Sequence, residues 1–572
     1  MIHPKLASLL ALASVVVGGA FFNAATAPAA LSATPIITSL SAISADRSGY
    51  LEINGTGFGT TDGVALINGL PAAVGSWQDT RIVAWVPEAA ALGSTTVQVT
   101  TSTGQTSNGI ALSVTARQAS GKAKWRFRQN GPYSKVRPVT AADGTIYSVD
   151  AYSHLYALSP DGALKWVARG AGGGGVAVGP DGTVYTGSES SVKAYTPDGT
   201  LKWTFNQNPI ALFFVGLSVG PDGNIYGVST EGIGAFSLTP QGTLRWSVPE
   251  KYDARTPVIY GEIVFGPSGT KTQMYFYANS HIRAYGLDGK LAFTIAIAAQ
   301  PVIGPEGNIH VPYGAYSPVD GHLVWVFSSQ YPYNVSDTPD VGSNGIHYTV
   351  QNTVELFSLS TTGTEVWHRT LTDVVGGPIV DPQNTQLIVG SVQTLDQAGY
   401  IISESAQDGH ELWRVNLPAE NGFNQASDTR ARFTPDGLTA YIMTFTATGN
   451  NDTSASFLYA LDTSATTTLF TLKSTKITLN ARSSGTSVNA NGKVTVQDGN
   501  GTAVSGATVA VSWTLPSGQT LTQSVATNSR GLAAFNAIDI AGTYTLTVTN
   551  ISKTGYTFDA ANSVLTKSAR SR

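Results

Sequence analysis

Few side-chain types do chemistry, and this chain is sparing with them. It has eight histidines, no cysteine and 12% charged residues. Without cysteine, disulfides, thiolate metal sites and cysteine nucleophiles are excluded. His154 and His281 stand in Ser-His-Leu-Tyr-Ala and Ser-His-Ile-Arg-Ala. A ring of such histidines could ligate a metal or a sugar acid. Ser191 and Gly232 occupy the matching places elsewhere, however, which favours simple hydrogen-bonded strand positions. His322 and His410 sit in Asp-Gly-His turns and should face solvent. His310 and His347 fall near the position of Tyr147, Tyr185 and Tyr226, so they should replace a packed aromatic.

The carboxylates divide in two. Asp161, Asp181, Asp198, Asp222, Asp288, Asp320, Asp408 and Asp436 each precede Gly. A calcium loop needs several oxygen ligands converging on one ion. These residues stand alone, one per turn, and turn chemistry accounts for them. Glu189, Glu231, Glu250, Asp253, Asp337, Asp340, Asp373 and Asp428 read as loop residues that spacing alone cannot pair. No catalytic residue is assigned. Exposed-type aromatics offer a different chemistry. Tyr133, Tyr252, Tyr331 and Tyr333 lie between strand signals, where rigid tyrosines suit recognition of sugars or proteins. Packing against neighbouring strands is the plainer alternative. The Gly172 to Gly175 run lacks the Lys-Ser/Thr and helix of a phosphate loop, which leaves close approach to a central channel.

The elements that must position these residues repeat. Tyr156-Ala-Leu-Ser-Pro-Asp-Gly-Ala-Leu-Lys-Trp166 returns as Ala194-Tyr-Thr-Pro-Asp-Gly-Thr-Leu-Lys-Trp203, then as Phe236-Ser-Leu-Thr-Pro-Gln-Gly-Thr-Leu-Arg-Trp246. Weaker copies end at Phe293, Trp325, Trp367, Trp413 and Phe470. A half-repeat precedes each, as in Val178-Gly-Pro-Asp-Gly-Thr-Val-Tyr185. Gly takes positive φ in such hairpin turns at no steric cost, and the flanks alternate with the period of a strand. Two hairpins in about 40 residues make a four-stranded unit, the pattern of a propeller blade. The strand at Ala123-Lys-Trp125-Arg-Phe127 would complete the last blade and close the ring. Eight blades are expected, with seven the alternative. Residues 122–472 resemble the PQQ-like, quinoprotein-type β-propeller repeat. That resemblance implies the blade and not the quinone. Quinone-dependent dehydrogenases of this type hold PQQ over calcium against a Trp. Here the Trp residues are used as repeat anchors and no Asn/Asp/Glu set for calcium stands out, so neither cofactor is expected.

The flanks differ in composition. Met1-Ile-His-Pro-Lys5, an apolar run from Leu6 to Phe22, and Ala27-Pro28-Ala29 predict a signal peptide over 1–29. An uncleaved anchor is the alternative. Residues 34–115 resemble the IPT/TIG domain through Gly55-Thr-Gly-Phe-Gly59 and Trp77-Gln-Asp-Thr-Arg-Ile82. Phe58 and Trp77 should be core aromatics. Residues 473–572 resemble bacterial Ig-like domains through Val504-Ser-Gly-Ala-Thr-Val-Ala-Val-Ser-Trp513. The expected fold class is therefore all-β: an eight-bladed (alternatively seven-bladed) β-propeller flanked by two immunoglobulin-like β-sandwiches.

A net charge of −4 gives no electrostatic case for nucleic acid. Past residue 29 no stretch approaches a membrane span. The reading is an exported protein, extracellular or at the cell surface, alternatively periplasmic. It would be a non-catalytic binding, adhesion or scaffold protein whose propeller recognises a glycan or a protein. An extracellular polysaccharide hydrolase or lyase is the alternative, and a PQQ oxidoreductase a more distant one.

Overall fold

The computed structural model describes residues 34–134, 136–188, 191–206, 214–229, 234–248, 263–278, 280–328, 338–371, 376–391, 399–420, 424–427, 431–446, 455–464, 470–484, 487–498, 503–553 and 556–571. Every regular element among them is a strand.

The N-terminal unit is two sheets over one core. One sheet runs Ile36–Leu40, Tyr50–Thr56, Arg81–Trp85, Ala73–Trp77; the other runs Ser44–Asp46, Ile110–Thr115, Gly93–Thr100, Val64–Ile67, Leu70–Pro71. Tyr50–Thr56 alternates buried and half-buried residues, the mark of a strand with one face on a core. Phe58 and Trp77 lie in that core, as expected. Gly55 is needed there because a Cβ would lie 2.1 Å from the Ile36 carbonyl oxygen.

From Ala123 to Asp462 the described strands form eight sheets. Seven are four-stranded antiparallel meanders in chain order. The eighth combines Gln425–Ser427, Arg432–Phe433, Thr439–Thr446 and Ser456–Asp462 with Ala123–Arg128, which returns from the other end of the repeat region. Shared apolar clusters join each sheet to the next, from the first and second through to the seventh and eighth. Another joins the eighth to the first through Met443, Leu458, Ile146 and Leu158. The sheets thus close on themselves, with Ala123–Arg128 pairing with Ser456–Asp462 as the outermost strand of the eighth sheet.

The repeated Gly and Trp explain each other. The Trp166 ring lies over Gly199, Trp203 over Gly242 and Trp246 over Gly289, each a glycine of the following sheet. The indole N–H reaches the same turn: Trp166 Nε1 donates to Pro197 O at 2.8 Å and Trp203 Nε1 to Pro240 O at 3.0 Å. Gly199 has φ +89°, and a Cβ there would sit 2.7 Å from the Trp166 ring. Turn geometry and inter-sheet contact therefore both require glycine.

The C-terminal unit is again two sheets on one core. One runs Leu532–Asp539, Ser487–Asp498, Phe470–Ser484, Tyr556–Phe558; the other runs Thr520–Ala526, Thr508–Thr514, Thr543–Ser552, Thr566–Arg570. Trp513 is fully buried at its centre. One expectation is corrected. Phe470 is not the last repeat anchor, because it opens the strand Phe470–Ser484, whose backbone pairs in parallel with Tyr556–Phe558. The C-terminal unit therefore begins before residue 473. The anchor facing the last sheet is Trp413, with the Lys122 ammonium 5.8 Å from its ring centre.

Candidate functional site

The first strand of each sheet lines the middle of the ring. There the first four sheets and the eighth border an open cavity of about 690 Å³. Its walls include Val139, Val178, Leu217, Val219, Phe265 and Phe433, with Arg432 as the charged side chain. Gly175 stands against Leu217, where a Cβ would lie 3.2 Å from the Leu217 backbone nitrogen and Cβ. Gly175 alone thus stands behind a residue of the channel wall; Gly172 abuts the Gly187 carbonyl and Gly173 the Asp150 carbonyl, so the run as a whole does not line the channel.

Strand register relates equivalent positions of these inner strands. Val139 pairs with Tyr147, Ala177 with Tyr185, Ser218 with Tyr226 and Val264 with Tyr275. In the sixth and eighth sheets the same place is charged: Asp340 pairs with Tyr348, and Arg432 with Tyr441. Asp340 belongs to the strand Asp340–Val341, not to a loop, which corrects its sequence assignment. Its Oδ2 accepts from the Val380 N–H at 2.8 Å, a bond to the neighbouring sheet. Burial pushes the Asp340 carboxyl up to about 6, opposed by that N–H and by the Arg137 and Arg432 charges. The side chain keeps part of its surface accessible although it stands deep in the ring. Sequence reasoning passed over Arg137 and Arg432. For Arg432 the available signal was a charged residue at a repeat position that is apolar in most other sheets.

The other candidates are scattered. Tyr133 is half-buried and stacks on Phe445, with ring centres 5.2 Å apart and planes 4° from parallel. Its face is therefore occupied by packing. Tyr252, Tyr331 and Tyr333 lie outside the described residues, as do Glu189, Glu231, Glu250, Asp253, Asp337, Asp373 and Asp428.

His154 and His281 are not brought together; they belong to the first and fourth sheets. His154 Nδ1 lies 2.9 Å from both Asp150 carboxylate oxygens, which resembles a hydrolase acid–base pair. Its Nε2 faces the Gly75 carbonyl oxygen at 2.8 Å. That partner is an acceptor with no proton to surrender, so the pair activates no nucleophile.

His310 and His347 are buried, with Nδ1 atoms 3.1 Å apart. His310 pairs with Val302 in the register of Tyr147, and Trp325 is edge-on to both imidazoles. Burial lowers both, His347 to about 3, with Glu306 opposing the shift on His310. Among the described residues, no three His, Asp or Glu side chains group to hold a metal ion. The aspartates before Gly serve their turns. Asp181, for example, accepts from the Thr183 N–H at 3.0 Å and its hydroxyl at 2.7 Å.

Comparison with known proteins agrees with this architecture. Residues 108–256 and 311–444 match the family described as outer membrane protein assembly factor BamB, and residues 35–114 match the IPT/TIG domain. No curated protein matches the chain. Similar solved structures include BamB from Moraxella catarrhalis, 12% identical, covering 58% of this chain and 95% of that one, with a TM-score of 0.42. A streptogramin B lyase is 13% identical and covers 59% and 100%, with a TM-score of 0.36. No helix among the described residues is long and apolar enough to cross a membrane. The chain is thus similar to the IPT/TIG domain over residues 35–114 and to the BamB repeat family over residues 108–256 and 311–444.

Proposed function

We propose that this chain is an exported, non-catalytic recognition protein of the cell surface or envelope. Its repeats form an eight-bladed propeller, flanked by two immunoglobulin-like sandwiches, and the ring binds a protein ligand. The observation that carries this reading is the cavity of about 690 Å³ with its mostly aliphatic and aromatic wall. Glycan sites need convergent hydrogen-bond donors and acceptors, whereas an apolar concave wall suits the side chains of a peptide segment. The sandwiches then act as spacers or further contact surfaces. Parallel peptide and glycan arrays on the mature chain, with products checked by mass, test this. Peptide binding without product is the expected outcome. Glycan binding alone would move the ligand class to sugars, and a cleaved product would replace the reading with a hydrolase or lyase.

A further inference from the structure

The N-terminal domain is docked on the joint where the eighth sheet meets the first. Trp85, 1% exposed, enters a cluster formed with Phe127, Tyr156 and Leu458 of those two sheets. Its indole N–H donates to Arg128 O at 3.0 Å, and its ring lies 5.9 Å from that of Phe127. Nearby, the Leu164 N–H donates to Ser48 Oγ at 2.8 Å, and Arg117 bonds both Glu88 and Asp161.

One residue of this interface carries a proton question. His154 is buried between Asp150, on its own hairpin, and the Gly75 carbonyl of the N-terminal domain. Both partners accept hydrogen bonds, and neutral imidazole has a single N–H. Only the imidazolium satisfies both. The Asp150 carboxylate is itself buried and fixed by the Gly131 N–H at 2.8 Å, the Tyr156 hydroxyl at 2.7 Å and the Tyr152 N–H at 3.0 Å. It therefore stands ready as the counter-charge. The Asn130 amide nitrogen, 3.4 Å from Nε2, is a longer contact. Other groups close by are Tyr50, under the Arg128 guanidinium at 4.1 Å, and the paired Arg81 and Glu52. Tyr50 also bonds Glu52 and Arg81, and Arg128 pairs with Glu420 at 3.6 Å, while the carboxylate in contact with His154 is that of Asp150.

We infer that His154 is a proton-dependent latch that holds the IPT/TIG domain on the ring joint and releases it as pH rises. Burial disfavours the imidazolium, but the hydrogen bonds to Asp150 and Gly75 outweigh it, and the His154 pKa lies above its ordinary 6.5. Asp150 stays beside His154 when the domain lifts, so the imidazolium is favoured in both states; the Gly75 carbonyl, present only in the docked state, adds an acceptor that neutral imidazole cannot satisfy together with Asp150, and the latch weakens as pH climbs from the undocked to the docked value. Within that window the opening constant should rise about tenfold per pH unit.

Hydrogen exchange on the full chain tests this. Protection of the peptide spanning residues 73–86 would be followed from pH 6 to pH 9, corrected for intrinsic exchange. The wild type should lose protection there with rising pH while the C-terminal unit stays unchanged. His154→Gln should be less protected at pH 6 and nearly independent of pH. A flat wild-type profile would overturn the latch, even if the variant fails to fold. So would a variant that keeps the wild-type pH dependence.

Discussion

At the residue scale, glycines in two turns of the same Pro-Asp-Gly sequence, one between the last two strands of a sheet and one between the first two, make different demands. Gly199 and Gly223 both have positive φ, +89° and +76°. Only Gly199 lies under an indole; the space where a Gly223 Cβ would go is open. Gly223→Ala should therefore cost the left-handed strain alone, about 1 kcal/mol. Gly199→Ala adds a clash with Trp166, bringing the loss to roughly 2–4 kcal/mol. Denaturant midpoints on the two variants check the ordering, and equal losses would show that the indole yields freely. Tyr133 makes a second case. Because its ring stacks on Phe445, Tyr133→Ala should lower stability by roughly 1–3 kcal/mol, beyond any effect on ligand binding. A variant of unchanged midpoint would return Tyr133 to the recognition surface.

At the element scale, the contact between the fifth and sixth sheets is unlike the others. His310 takes a place where Tyr147, Tyr185 and Tyr226 stand in other sheets, and its neighbour His347 is buried with it. Depressed histidine values stabilise the neutral pair, so the unfolded chain binds protons first as pH falls. This contact should weaken from pH 6.5 downward, with the His347 contribution gone near pH 3. His310→Tyr should shrink the acid loss of thermal midpoint relative to wild type. An unchanged difference between pH 7 and pH 5 would contradict this account of the pair.

The elements show what was legible in the sequence. Alternation, Pro-Asp-Gly turns and Trp spacing disclosed the repeats and the closing role of Ala123–Arg128, because turn and strand chemistry is local. Phe470 misled because an aromatic following a strand pattern is the same local signal in a sandwich as in a repeat. The contacts of His154 could not be read. Gly75 lies 79 positions earlier and meets it only after two domains dock. Asp340 and Arg432 were hidden for a related reason: that Asp340 accepts from the neighbouring sheet and Arg432 lines the cavity is settled by ring closure, not by their neighbours in the chain.

Across the whole molecule, the N-terminal domain covers the joint that the returning strand makes. Trp85 is its largest contribution there. Trp85→Ala should cost roughly 3–5 kcal/mol and weaken docking, since the void opens onto Phe127 and Tyr156. Hydrogen exchange in Ala123–Arg128 should rise with it, and unchanged protection would mean that the joint holds without its cover. The ring so held presents the apolar cavity on which the recognition reading rests. The most direct measurement is peptide-array binding by the wild type and by Val178→Asp, which puts a carboxylate on that wall, with products followed by mass. The account predicts peptide binding without product, and loss of that binding in a variant that melts like the wild type. Undiminished binding by the folded variant, or any cleaved product, would contradict it.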